Sequence, residues 1–273
     1  MAPVICDANM TIVFPNIDGT GEKGYGYQLM KLVLKKTGKP YKLIFRHDPV
    51  NQERAFNYLK KGLFSVVDGC AGRALEEKAW AVYIPIDRGL LGWRVFIIHQ
   101  DQEKEFSQIS HLDQLQVKVA GQGIKWVDIK ILEQSGIKVI ASPKIDNLFR
   151  MVHAGRFDFI PLGVSEVYGF LEQYGKDLPK LMVEKSLTLV YPLGRFFYVK
   201  KGNAALHEDI ARGLEAAWAD GSFQQFIFHH PFTQQGLNRC RLSQRAIVSI
   251  DNPFTTQAFN LIDPKWWYDP TNH

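Results

Sequence analysis

Cysteine is scarce in this 273-residue chain: Cys6, Cys70 and Cys240 are the only three, and none stands in a CxxC pair. That excludes a disulfide framework and paired-thiol zinc or redox motifs. At most one bridge is left, with buried or free thiols the plainer reading. Long apolar runs are missing too. The longest, residues 79–86, falls far short of the ~20 residues a membrane helix needs. Neither charge sign dominates, because 33 Lys and Arg face 28 Asp and Glu for a net charge of +5. The isoelectric point is near 9.0, but the basic residues are scattered, with Lys35-Lys36 and Lys60-Lys61 the densest spots. A mildly basic solvated surface fits this better than a nucleic-acid face. No HExxH, P-loop or EF-hand pattern occurs. The start, Met-Ala-Pro-Val-Ile-Cys, lacks the basic segment and apolar core of a secretory signal. Two readings stay open on that point: a cytosolic protein, or an exported one whose signal has been removed.

What is present is ordinary globular composition, 46% hydrophobic and 22% charged, arranged as an alternation. Residues 11–14 read as a strand, 27–37 as a helix stopped by Gly38 and Pro40, 41–46 as a strand, 51–61 as a helix and 64–67 as a strand. This strand–helix rhythm signals parallel pairing, since parallel neighbours need a crossover. An extended segment, residues 79–99, ends in the apolar run 93–98. The alternation then restarts, with strands at 118–120, 138–141 and 157–160 and helices at 125–134, 146–154 and 165–174. A second apolar run, 196–199, precedes a long helix at 204–220, where Leu206, Ile210, Leu214 and Trp218 recur every four residues.

Four stretches carry a resemblance to a known family. They are Phe56-Asn-Tyr-Leu-Lys-Lys-Gly62 with Val66-Val-Asp-Gly69; Leu112-Asp-Gln-Leu-Gln-Val-Lys-Val-Ala-Gly-Gln-Gly123; Met151-Val-His-Ala-Gly-Arg-Phe-Asp158; and Phe196-Phe-Tyr-Val-Lys-Lys-Gly-Asn203 with the helix to Phe223. In order and spacing the chain resembles the type II periplasmic solute-binding proteins, the branch associated with polar amino-acid ABC transporters. The resemblance implies an α/β, two-lobed fold with two parallel-rich sheets joined by two hinge strands. It places residues 1–97 with 195–273 in lobe 1 and residues 98–194 in lobe 2, with the hinge near 93–98 and 196–199. It further implies a periplasmic monomer that closes around a small solute between the lobes. Its partner would be an ABC permease or a membrane sensor, and it would need no cofactor, metal or nucleic acid.

Ligands of parallel α/β sheets bind beyond the carboxyl ends of strands, often at helix N-termini. Five segments meet that condition. The first runs from Asp18 to Tyr25 and Tyr27. Its glycines at 19, 21 and 24 formally spell GxGxxG, but four residues separate the strand from the first glycine, so a closing loop is the better reading than a dinucleotide site. The second holds Asp68, Cys70 and Arg73. The family's Thr-x-x-Arg carboxylate clamp is absent here, and Arg73 is the candidate substitute; its alternative is a surface ion pair with Glu76 or Glu77. The third contributes Tyr83, Arg88 and Trp93, each alternatively a packed or solvated residue. The fourth is Gly121, Gln122, Gly123, Lys125 and Trp126, where amides, a cation and a stacking ring share one loop. The fifth is Gly163, where family members place an Asp for a ligand ammonium. Losing both Arg and Asp argues against an ordinary α-amino acid.

Enzyme signals are weak. Gly163-Val-Ser-Glu-Val167 lacks the second glycine of a nucleophile elbow, and the His229-His230 pair reads as a surface loop. No residue is assigned a catalytic role. Arg73, Arg88 and Lys125 favour a solute with at least one anionic group, and Tyr25, Tyr27, Tyr83, Trp93 and Trp126 favour a flat or apolar portion. The rivals are a lyase resembling cyclohexadienyl dehydratases, with Asp68, Asp18 or Lys125 as acid or base, and a sensory module. The Pro-punctuated stretch 251–268, with Trp266-Trp267, is expected to pack along the first lobe or to mark a partner surface.

Overall fold

Residues 10–17, 19–124 and 126–270 are described by a computed structural model. Cys6, Asp18 and Lys125 lie outside them. In chain order the strands are β1 (Thr11–Ile17), β2 (Lys42–Val50), β3 (Val66–Cys70), β4 (Trp80–Val82), β5 (Trp93–His99) and β6 (Val119–Gly123). There follow β7 (Lys138–Ser142), β8 (Phe159–Gly163), β9 (Leu181–Val183), β10 (Leu187–Val190), β11 (Arg195–Val199) and β12 (Ala246–Ser249). The chain divides into two units. Of the described residues, one holds those through Arg88 with Arg195–Ile227 and Thr256–Trp266; the other holds those within Gly89–Gly194, Phe228–Thr255 and 267–270. Among the described residues, no helix is long and apolar enough to cross a membrane.

In the first unit β1 pairs with β2 in parallel, and β3, β11 and β4 form an antiparallel sheet with β11 in the middle. The expected parallel run through β3 therefore breaks: the hydrogen-bonding neighbour of β3 arrives from far along the chain. Helix Tyr25–Lys36 buries Leu29, Met30, Val33 and Leu34. Asn51 caps helix Gln52–Lys60 by accepting from the Arg54 amide at 2.9 Å. On the long helix Ala204–Ala219, Leu206, Ile210 and Leu214 are buried as the four-residue repeat predicts. Trp218 is half-buried and Ala217 completes the face, because 3.6 residues per turn carries a strict four-residue repeat off the stripe. Asp209 on that helix is fully buried and binds Lys39 Nζ at 2.7 Å, with the Tyr41 hydroxyl and Arg212 as further donors.

In the second unit one sheet runs β12-β10-β5-β8-β6-β7, with β9 alongside β5. Pairs β10–β12, β6–β7 and β6–β8 are parallel, whereas β5 is antiparallel to β8, β9 and β10. β5 is its apolar spine, with Val95, Phe96, Ile97 and Ile98 fully buried. Helix Ile145–His153 covers the sheet with Leu148, Phe149 and Val152.

The division into units differs in detail from the expected bounds. Two of the unit changes, after Arg88 and after Gly194, fall close ahead of the runs read as hinge strands, with β5 then counted in the second unit and β11 in the first. The chain changes unit five times, after residues 88, 194, 227, 255 and 266. Residues 228–255 go with the second unit, since β12 completes its sheet beside β10. Of the Trp-rich tail, Thr256–Trp266 joins the first unit, where Phe259 meets Phe196 at 5.8 Å and Trp266 meets Trp218 at 5.0 Å. Trp267 and Tyr268 belong to the second. His229 ends a helix and His230 caps the next, accepting from the Phe232 amide ahead of Pro231, so the pair is not a loop.

Candidate functional site

In the first unit, buried polar groups gather where β3, β11 and the first turn of helix Tyr25–Lys36 meet. Arg195 faces Cys70 across the ladder, and its Nη2 lies 2.5 Å from Asp68 Oδ2. The Arg195 amide donates to Asp87 Oδ1 at 3.0 Å. Asp68 is buried so tightly against the helix that a Cβ on Gly26 would stand 2.6 Å from its carboxyl carbon. The Tyr25 hydroxyl donates to the Ile86 carbonyl at 2.5 Å. Burial pushes this phenol well above its ordinary range, and Asp87 and Asp68 add to the shift while Arg195 opposes it. Tyr25 therefore stays a neutral donor.

The other predicted residues of this unit are scattered. The Tyr27 ring packs between Phe14 and Phe45, at 5.7 and 4.8 Å. Cys70 is half-buried, and its carbonyl accepts from Tyr198 at 2.9 Å. Arg73 is exposed at the start of the short helix Arg73–Glu76 and pairs with neither Glu76 nor Glu77. Glu76 instead accepts from the hydroxyls of Tyr83 and Thr256 at 2.7 and 2.6 Å. Burial, then that bond to Glu76, pushes the Tyr83 phenol up to about 12. Arg88 is buried with its guanidinium over the Trp218 ring at 5.2 Å, and its φ of +53° is rare for a side chain that size.

The second unit has its own cluster, built on a residue the sequence reading passed over. Arg94 is buried in β5 opposite Gly163 of β8. Its guanidinium holds Asp128 and lies 3.7 Å from Glu166, and its Nε donates to the Tyr191 hydroxyl at 2.9 Å. Tyr191 in turn donates to Asp128. The Gly163 amide donates to Glu166 at 3.3 Å, so a carboxylate does stand beside the position where an Asp is missing, three residues later in sequence. Gln122 is fully buried on β6; its amide donates to the Pro161 carbonyl at 3.3 Å and its Oε1 has no partner. Gly121 lies under the Phe157 ring, and Gly123 under Trp126, whose indole would meet a Cβ at 2.5 Å. Trp126 and Trp93 are half-buried, and Trp93 meets Tyr268 edge-on at 5.4 Å.

Arg94, Asp128, Glu166, Tyr191, Asp87 and Arg195 were all missed by sequence reasoning. The one readable signal was a lone charge in or beside an otherwise apolar strand, as in Trp93-Arg-Val-Phe and Gly194-Arg-Phe-Phe. Among the described residues, no three metal-ligating side chains converge.

No family model and no curated protein matches the chain. Solved structures do. An ancestral arginine-binding protein bound to arginine aligns with a TM-score of 0.57 at 17% identity, covering 81% of this chain and 97% of the other. The fold is that of the type II periplasmic solute-binding proteins. A histidine kinase sensor domain with similarity to periplasmic binding proteins aligns at 0.56 and 16% identity, over 81% and 95% of the two chains. A protein from a study of glutathione import in Streptococcus mutans aligns at 0.57 and 14%, over 82% and 95%.

Proposed function

We propose that this protein is an extracytoplasmic receptor that captures a small organic solute for ABC-type uptake. The fold carries the reading, since nearly the whole length of an arginine-binding protein is matched. Each unit by itself offers polar or stacking groups for capture: Asp68 and Arg195 in the first, and Gln122, Trp126 and Glu166 in the second. The solute bears at least one anionic group, and Arg195 is its contact. Arg195 is preferred to Arg73 because it stands in the ladder beside Cys70, partly exposed, with a rigid strand behind it. The receptor's partner is a permease; the sensor-domain likeness makes a signalling partner the second reading.

Thermal unfolding against a panel of amino acids, organic acids, amines and aromatic carboxylates tests this. At 100 times Kd a ligand stabilises the native state by about 2.7 kcal/mol. A hit lost in Arg195→Gln and kept in Arg73→Gln supports the assignment. A hit confined to cations, or one kept in Arg195→Gln, overturns the anionic contact. Turnover of the bound compound would replace the receptor by a lyase.

A further inference from the structure

We propose that the second unit carries a separate binding site for an amphiphilic organic anion, a carboxylate or phosphate on an apolar body. The site is a cavity of about 790 Å³ between β9, helix Val167–Tyr174 and the end of helix Pro231–Cys240. Small-molecule pockets span roughly 300–1,000 Å³. One wall is apolar, formed by Leu171, Leu181 and Val183. The cavity is lined by four cations, Lys185, Arg239, Arg241 and Arg245, and by no carboxylate.

Three of those cations already have acidic partners outside the lining. Arg245 lies 3.4 Å from Glu184, Arg239 3.1 Å from Glu172 and Lys185 2.8 Å from Glu103. Arg239 is also held flat over the Tyr168 ring at 3.6 Å. Arg241 differs: it is exposed and makes no ion pair among the described residues. Its backbone φ of +49°, just past the helix end, is a conformation in which glycine or asparagine is the usual residue. A long cation is thus kept at a strained backbone position in the lining of a cavity that also has an apolar wall. Cys240 adds no negative charge, since burial pushes its thiol up to about 11. The site is distinct from the Arg94 cluster. None of Arg94, Asp128, Glu166 and Tyr191 lines the cavity, and its β9 residue paired closest to Arg94 on β5, Val183, stands opposite Ile97, three residues or about 10 Å along the strand.

Isothermal titration of the full chain with decanoate, acetate and decanol tests the proposal. Decanoate is expected to bind at least tenfold more tightly than either of the others. Arg241→Gly is expected to weaken decanoate at least tenfold, to melt no lower than the parent, and to leave the response to the captured solute unchanged. Equal binding of all three probes, or decanoate affinity unchanged in Arg241→Gly, would overturn it. Cosedimentation with phosphatidylglycerol vesicles separates the sources of the anion. Sedimentation lost in Arg241→Gly without decanoate binding assigns a lipid headgroup, and decanoate binding without sedimentation assigns a free acid.

Discussion

Arg94 and Arg195 have nearly the same local sequence, an arginine leading an apolar strand, and opposite fates. The Arg94 side chain is 4% exposed and spends its donors on Asp128, Tyr191 and Glu166. The Arg195 side chain is 24% exposed and shares one edge with Asp68. The difference lies in the place along each strand: Arg94 is paired on both sides, with Leu189 and Gly163, whereas Arg195 opens β11 and is paired only with Cys70, the β4 ladder beginning at Phe197. A guanidinium taken fully out of water must be neutralised within the protein; one left partly in water can exchange its partner for a solute.

Breaking that contrast gives the largest expected effect. Arg94→Met leaves Asp128 buried without its cation and should cost about 3–5 kcal/mol in urea unfolding. Adding Asp128→Asn should recover part of it, because the two residues share one network. The Asp209 cluster on the long helix tests the carboxylate side of the same rule. Burial raises its pKa, but bonds from Lys39, Tyr41 and Arg212 outweigh this and hold it below its ordinary 3.8. That stability is present above the unfolded-state value and is lost as pH falls through the lower folded one. Asp209→Asn should therefore cost about 2 kcal/mol at pH 7, and the gap to the parent should close below about pH 4 in acid titrations followed by circular dichroism.

Arg195→Gln comes next. With its guanidinium partly solvated, the loss should be about 1–2 kcal/mol, small beside Arg94→Met, while solute affinity falls at least tenfold by calorimetry. Equal destabilisation by the two variants would erase the distinction drawn between them. The smallest effect is expected at Arg241→Gly, where relief of the left-handed backbone, offset by glycine's own entropy, should raise stability by at most about 1 kcal/mol in thermal melts.

Much of the architecture was legible. The apolar runs that became β1, β2, β5, β6, β7, β8 and β11 announced themselves, and so did the helices with stripes such as Leu206, Ile210 and Leu214. Strands β4, β9, β10 and β12 did not, being three or four residues long and too short for a period of two to stand out. Helices Ser222–His229 and Pro231–Cys240 were hidden among polar Gln and His residues. Of the candidate site, the sequence named loops near which the structure gathers buried polar groups, but it did not name most of those groups. It singled out Arg73, which is exposed, and Gly163 as a missing acid, while Glu166 stood one turn away.

The sequence by itself determined the α/β class, the order of most elements and the segments where polar groups meet strand ends, because those follow from local periodicity and turn chemistry. Only the tertiary structure decided which arginine is neutralised, that β3 pairs with β11 instead of β1, and that residues 228–255 complete the second unit. Each of these depends on contacts between residues far apart in the chain, and burial, unlike periodicity, has no local signature.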